Sequence, residues 1–385
     1  MRHDRRARPW LRTGLLSVGH LVNDGFGGFF APLLPLLIDR LDLSLTLAGV
    51  LGTIRIVTNS VLQPSLGHMI DRAGRPGLVV AGPILTIAAM SLLGRASSFG
   101  QLLAIMLVAG VGTALFHPAA AAMVTADKPA RQGLLMALFS SGGTVGAALA
   151  PMAIVAFAGA FSMDRTPWLV LPGLAIVAAF AVPLRRLVEA SRGSAHREGS
   201  RPALPPRLAL LWFVMVVTYA CSAAFSSFLS VLVVERGGSA WTGGAALSVF
   251  LICGAAAEFL AGNLSDRFGR KAVILGSLAL AAPFLVVLVR GPAWSLLPAA
   301  ALAGACSLAS SPVAIVAAQE CVPGRAGLVS GLVMGLAWGA GGVALTPIGW
   351  FADQFGLVSV MSVVALLPLL AASLMVLYHE PARLA

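Results

Sequence analysis

Charge is scarce in this chain. Asp, Glu, Lys and Arg make up only 11% of its 385 residues, against 58% hydrophobic residues and a mean hydropathy of +0.91. One globular core cannot bury that much apolar surface, so a soluble fold is excluded and lipid is the expected solvent. Acidic residues are scarcer still, 15 against 26 basic ones, leaving a formal net charge of +11. In a soluble protein that excess would point to nucleic acid. No groove of interleaved aromatic and basic residues accompanies it, so no nucleic-acid partner is expected. The four cysteines, Cys221, Cys253, Cys306 and Cys321, lie in or at the ends of apolar segments with no ligand-like spacing. They read as small packed hydrophobes rather than as disulfides or metal ligands. A Gly-x-x-x-x-Gly-Lys-Ser/Thr phosphate loop is missing, which leaves ATP drive within the chain without support, and no catalytic triad spacing occurs. No enzymatic activity, cofactor or metal is expected.

What is present is a series of long apolar runs. They fall near 13–37, 46–68, 78–95, 99–124, 131–158 and 167–185, and again near 208–233, 241–264, 272–290, 294–318, 325–350 and 356–378. Each is long enough to cross about 30 Å of hydrocarbon as a helix. Continuous apolar runs favour helices over barrel strands, which would alternate. The expectation is an all-α membrane protein of twelve spans. The Arg-rich Met1–Arg12 followed by an apolar segment superficially resembles a secretory signal. That segment runs about 25 residues, carries polar residues and lacks a small-residue cleavage site, so it reads as the first span. Between the two sets of six lies a stretch rich in Arg, Gly, Ser and Pro. The expected organisation is a first half at 1–185, a polar linker at 186–207 and a second half at 208–385. Outside the spans Lys and Arg cluster on one side, with only Arg40, Arg95, Arg165, Arg236 and Arg290 on the other and Arg55 within a span. That bias predicts both termini and the linker in the cytoplasm.

The halves repeat one another. Gly67, Asp71, Arg72 and Arg75 recur 195 positions later as Gly262, Asp266, Arg267 and Arg270. Likewise Pro118, Pro129, Arg131 and Gly133 recur 194 positions later as Pro312, Pro323, Arg325 and Gly327. Paired halves of six helices are the architecture of the major facilitators, with a site near the midplane where the repeats meet.

The Gly-x-x-x-Asp-Arg-x-Gly-Arg loops resemble the signature loop of the major facilitator superfamily over nearly the whole chain. Within it, four stretches resemble the fosmidomycin resistance group of efflux transporters: His20-Leu-Val-Asn23-Asp24, Leu62-Gln63-Pro64-Ser65-Leu66-Gly67, Phe116-His117-Pro118 and Gly142-Gly143-Thr144-Val145-Gly146. In that group Phe-His-Pro is commonly followed by an acidic residue, where this chain has Ala119. Any coupling role of that acid therefore does not carry over.

Asp24 lies near the middle of the first span, where a charge costs about 2.5–3.5 kcal/mol on insertion scales. With Thr13, Ser17 and His20 it forms a small, polar helix face expected to line an aqueous cavity. It is a candidate proton site, with His20 one turn earlier; the alternative is a structural carboxylate paired with Arg55. Arg55, Asn59 and Gln63 form a second polar stripe, and the guanidinium fork suits carboxylate or phosphonate oxygens. Asn23 joins these as a substrate-binding candidate. His117 either binds substrate or a proton, or caps the carbonyl freed by Pro118. Glu258 replaces, in the second half, the amide of Gln63; it is either a second candidate for proton coupling or a carboxylate of the wet inner vestibule bonded to arginines of the eleventh helix or the linker. Trp338 is either an apolar wall for substrate or a lipid-facing residue. Asp71, Arg72 and Arg75, with Asp266, Arg267 and Arg270, either gate the cytoplasmic face or only set topology. Gly142, Gly143, Gly146 and Pro151, and Gly335, Gly339, Gly341, Gly342 and Pro347, allow close helix approach and bending.

The expected function is proton-coupled export of small molecules, drugs or antibiotics, by alternating access across a bacterial inner membrane. The protein is expected to act as a monomer, with protons, lipid and a small-molecule substrate as partners. Anionic phosphonates such as fosmidomycin are suggested by the resemblance. An importer of a small organic anion and a non-transporting receptor or scaffold are the alternatives.

Overall fold

A computed structural model describes residues 2–73, 77–125, 132–189, 205–322, 329 and 331–379. Helices α1 (Arg2–Gly27) and α2 (Phe30–Leu41) together make the first span, and α3 (Leu45–Ala73) the second. There follow α4 (Leu78–Ser91), α5 (Phe99–Thr125), α6 (Gln132–Phe161), α7 (Val170–Glu189), α8 (Pro206–Glu235), α9 (Ala240–Phe268), α10 (Arg270–Arg290) and α11 (Leu296–Cys321). The chain ends in α12 (Trp338–Val343), α13 (Leu345–Phe355), α14 (Leu357–Val364) and α15 (Leu367–Val376).

Eleven of the resulting spans are long and apolar enough to cross a bilayer among the described residues. The twelfth, over the expected 325–350 run, is broken. A π-helical turn at Gly331–Ala337 leads into α12, and Ala344 separates α12 from α13. A stretch this rich in glycine tolerates the wider π geometry, in which each backbone bond reaches one residue further than usual. Large apolar side chains such as Leu171, Trp294 and Val363 stand exposed, as expected of surfaces that face lipid.

Proline accounts for another break. Pro368 has no N–H to offer Val364, and the helix divides between α14 and α15 at Ala365–Leu366. The Cys221 thiol on α8 bonds to that Val364 carbonyl at 3.5 Å. A cysteine that reads in sequence as a small hydrophobe thus also serves a carbonyl that Pro368 leaves without its helical donor.

By contacts the chain divides into two compact units. One comprises Met1–Leu33 and Val61–Gly199, the other Leu34–Ser60 and Ser200–Ala385. In the first unit α1 packs along α6 and α4 along α5. Glycines set the α1–α6 spacing: a methyl added at Gly142 would overlap the Ser17 carbonyl, and one at Gly146 the Leu21 carbonyl. Such small residues let backbones approach where lipid supplies no hydrophobic drive for helix association. Phe116, Phe139 and Phe180 fill the core of that unit.

In the second unit α9 packs along α11, with Gly304 against the Phe250 carbonyl. The early part of α3 belongs here because it lies against α12 and α13. Gly49 meets the Leu345 carbonyl, Gly349 the Leu45 carbonyl and Gly342 the Ile56 side chain. Thr53 donates to the Gly342 carbonyl at 3.1 Å and pairs with the Thr346 hydroxyl at 2.9 Å. At the start of α3, the Leu45 and Thr46 amides donate to the two carboxylate oxygens of Asp353 at 2.7 and 2.8 Å, and the Thr46 hydroxyl donates there as well. The orphan N–H groups of a helix start are thereby satisfied by a carboxylate some 300 residues away in sequence. Of the expected linker, residues 190–204 lie outside the described residues.

Candidate functional site

Asp24, in α1, sits in a polar cluster to which three other helices contribute. Its Oδ2 lies 3.1 Å from His20 Nε2, one turn earlier on the same helix, and its Oδ1 lies 3.1 Å from His117 Nε2 on α5. The Asn23 amide also donates to Oδ1 at 2.9 Å. Asn23 is itself held by α4, where the Thr86 hydroxyl donates to its Oδ1 at 3.0 Å. Both residues are fully buried. The fourth helix, α6, supplies a backbone acceptor: the Phe139 carbonyl lies 2.9 Å from His20 Nδ1.

That last contact determines the proton arrangement. A carbonyl only accepts, so His20 Nδ1 carries a hydrogen. In the neutral ring Nε2 would then present a lone pair to a carboxylate oxygen 3.1 Å away, and two acceptors repel. The contact is favourable only with a proton, or another cation, between them. Hydrogen bonds to charged groups of this kind are worth about 1.5–3 kcal/mol.

Local packing explains why the rings sit here. His20 stacks on Phe139 with centroids 4.4 Å apart and meets His117 edge-on at 4.9 Å. A methyl at Gly143 would overlap the His20 ring. Gly143, read in sequence as a helix-packing residue, is thus also what makes room for His20. The side chains of Asp24 and His117 remain 24% and 28% exposed while that of His20 is 11% exposed. The cluster is therefore open on the Asp24–His117 side and closed behind His20. His117 directs Nε2 toward Asp24.

The remaining candidates lie on other helices. Arg55, Asn59 and Gln63 share one face of α3 and are each half-buried. Arg55 belongs to the second unit, within electrostatic reach of the Tyr219 hydroxyl on α8. Tyr219 stacks almost parallel on Trp338, at 5.4 Å and 10°. Glu258 is half-buried on α9, beside the exposed Phe259 and Leu260. In the second loop motif Arg270 is the hub: it bonds Asp266 at 2.6 Å, Ser265 at 2.5 Å and Glu320 at the end of α11 at 3.2 Å, while Arg267 is exposed. For the first loop motif, Asp71 and Arg72 lie in the last turn of α3 with side chains outside the described residues, as is Arg75 altogether.

Sequence reasoning missed Thr86, the Phe139 carbonyl, Glu320 and Tyr219. A backbone acceptor leaves no residue-type signal. Tyr219 did leave one: it is one of only two tyrosines, and it stands 195 positions after Asp24, the offset of the loop repeat.

The sequence pattern of the Major Facilitator Superfamily matches residues 16–243 and 211–384. The chain is 29% identical to the fosmidomycin resistance protein of Escherichia coli, over 93% of this chain and 90% of that one. It is 30% identical to the MFS-type transporter YfnC of Bacillus subtilis, over 92% and 90%. Among solved structures it is similar to a bacterial homolog of the human lysosomal transporter Spinster, with a TM-score of 0.78 and 16% identity, covering 97% of this chain and 99% of that one.

Proposed function

The chain belongs to the Major Facilitator Superfamily, a multi-pass membrane transporter rather than an enzyme, and on that premise we propose that it exports small anionic molecules, phosphonates such as fosmidomycin among them, in exchange for protons. The observation that carries this reading is the His20–Asp24–His117 cluster. A carboxylate in the middle of a span is held by two imidazoles, one with its far nitrogen committed as a donor. Removing the shared proton leaves two acceptors facing each other at 3.1 Å, and the side chains must then separate or recruit another cation. Proton loss is in this way linked to movement of α1 against α5 and α6. The titratable groups at the cluster are His20 and Asp24 from α1 and His117 from α5; α4 contributes the Thr86 hydroxyl, and α6 a carbonyl and glycines.

The substrate side of the proposal rests on Arg55 with Tyr219 and Trp338. A guanidinium beside a stacked aromatic pair suits an anion carrying apolar surface. Similarity to a fosmidomycin resistance protein and, at 24% identity over 72% of the chain, to the multidrug resistance protein MdtG of Escherichia coli supports export. The orientation that follows from the basic loops puts both termini in the cytoplasm of a bacterial inner membrane. Glu258 is a second site for a proton in this scheme, and the Arg270 hub a gate.

The test is uptake of labelled fosmidomycin into inverted proteoliposomes under an imposed pH gradient. Wild-type protein is expected to accumulate drug only when the lumen is acidic. Asp24→Asn is expected to lose gradient-driven accumulation while retaining exchange of drug for drug. Undiminished gradient-driven flux in Asp24→Asn removes the cluster from coupling, and accumulation only under the reverse gradient makes the protein an importer.

A further inference from the structure

We propose that His20, Asp24 and His117 form a binding site for one divalent transition-metal ion of the zinc class. The inference concerns the same three side chains as the proposed function but stands without it, because it needs only equilibrium binding and no proton movement.

Two imidazole nitrogens and a carboxylate oxygen converge within 4.8 Å of one another. Zinc bonds nitrogen and oxygen at about 2.0–2.2 Å, so two ligands of a tetrahedral ion stand about 3.3 Å apart. The two nitrogen-to-carboxylate gaps are already 3.1 Å. These gaps run to different oxygens, His20 Nε2 to Oδ2 and His117 Nε2 to Oδ1, so the rings and the carboxylate have to close together on one ion, and His117, the more exposed of the two rings, has the freedom to move.

The surroundings are those of a metal site as well. A ligating histidine usually gives its other ring N–H to a backbone carbonyl or carboxylate, which fixes the tautomer and turns the bare nitrogen inward. His20 does this through Phe139, at 9% residue exposure, leaving Nε2 aimed at Asp24. A ligating carboxylate is likewise held by outer hydrogen bonds, here the buried relay from Thr86 through Asn23 to Asp24. The cation that the acceptor-to-acceptor contact requires need not be a proton. Three protein ligands with an open side leave a fourth position for water or an anionic oxygen. Two imidazoles select zinc, cobalt, nickel or copper over magnesium and calcium, which prefer all-oxygen shells.

The experiment uses the full-length chain, purified without a polyhistidine tag and reconstituted in nanodiscs, titrated with zinc by calorimetry and with cobalt by visible absorption. One zinc per chain is expected, undisturbed by excess magnesium, with a cobalt spectrum of four-coordinate intensity. Asp24→Asn, His20→Gln and His117→Gln are each expected to abolish that stoichiometric binding, and Asn23→Ala to weaken it by about 10–100-fold. His379→Gln, outside the cluster, is expected to leave it unchanged. The proposal is overturned if the wild-type chain shows no saturable zinc binding, if cobalt gives only the weak spectrum of a six-coordinate aqua ion, or if binding persists in Asp24→Asn and His117→Gln. The first two readings need no variant and hold even if a substitution prevents folding. Proton-coupled transport without zinc binding would remove this inference alone, and zinc binding without coupling would remove only the proposed function.

Discussion

The two halves of the chain share a fold pattern but differ at the matching positions. At the 195-residue offset of the loop repeat, Asp24 corresponds to Tyr219. In the first half the glycine of α6 leaves room for a histidine that holds a carboxylate. In the second half the tyrosine that occupies the carboxylate's place stacks on Trp338. One scaffold therefore presents an ionisable cluster on one side of its repeat and an aromatic platform on the other. Duplication supplies two equivalent frames, and divergence at a few close-contact positions gives each its own chemistry.

That comparison breaks most visibly at Asp24. Asp24→Asn keeps the shape but removes the charge that both imidazoles address, and gradient-driven flux is expected to fall to background in proteoliposomes. Tyr219→Phe, at the matching position, is expected to leave coupling intact. A flux ratio unchanged in the first or abolished in the second would erase the proposed division of labour.

Gly143→Ala should have the next largest effect. The added methyl collides with the His20 ring, and overpacking of this kind typically costs about 1–3 kcal/mol. A lowered thermal midpoint in detergent, together with weakened coupling, is the expected outcome. Gly335→Ala, where a methyl meets open space, should leave the midpoint close to wild type.

On the aromatic side, Trp338→Leu removes the stack while keeping apolar volume. An aromatic pair is worth about 0.5–1.5 kcal/mol beyond its buried area, so half-saturation for substrate should rise roughly 2- to 10-fold. The number of protons exchanged per substrate should stay constant; a change in it would place Trp338 in coupling instead.

The smallest effect is expected at Asp353, beyond the end of the apolar run at 325–350. Burial raises its carboxyl, but the bonds from the Thr46 hydroxyl and from the Thr46 and Leu45 amides outweigh that and hold it below the usual carboxylate range. A depressed folded value means the contribution to stability is present above the unfolded value, about 3.9, and is lost as pH falls through the folded one. Thermal midpoints of wild type and Asp353→Asn should differ near neutral pH and converge in acid. A constant gap across that range would show that the carboxylate does not act through its charge.

Much of this molecule was legible before its coordinates. Apolar run length marks spans whatever their partners, and eleven of the expected runs appear as continuous or proline-bent spans. The eleventh run kept its place but not its regularity, because the glycines that mark it as a close-packing helix also permit the π turn at Gly331–Ala337. Asp24, His20 and His117 could each be picked out as polar residues placed where lipid penalises them. Their mutual arrangement could not be read in the same way, since His117 lies 93 positions from Asp24. Cys221 shows the same limit: its partner is a carbonyl exposed by a proline 147 positions later in the chain.

By itself the sequence determined that the chain spans a membrane in two repeated halves and where its costly polar groups lie, because hydropathy and repetition are properties of residues along a line. Tertiary structure alone decided which of those groups meet, that α3 starts on a carboxylate of α13, and that the carboxylate of one half is held by imidazoles while the tyrosine at its matching position in the other stacks on a tryptophan. Those outcomes depend on where backbones approach closely enough for a carbonyl, a ring or a methyl group to compete for the same few ångströms. That competition takes place between segments far apart in the chain.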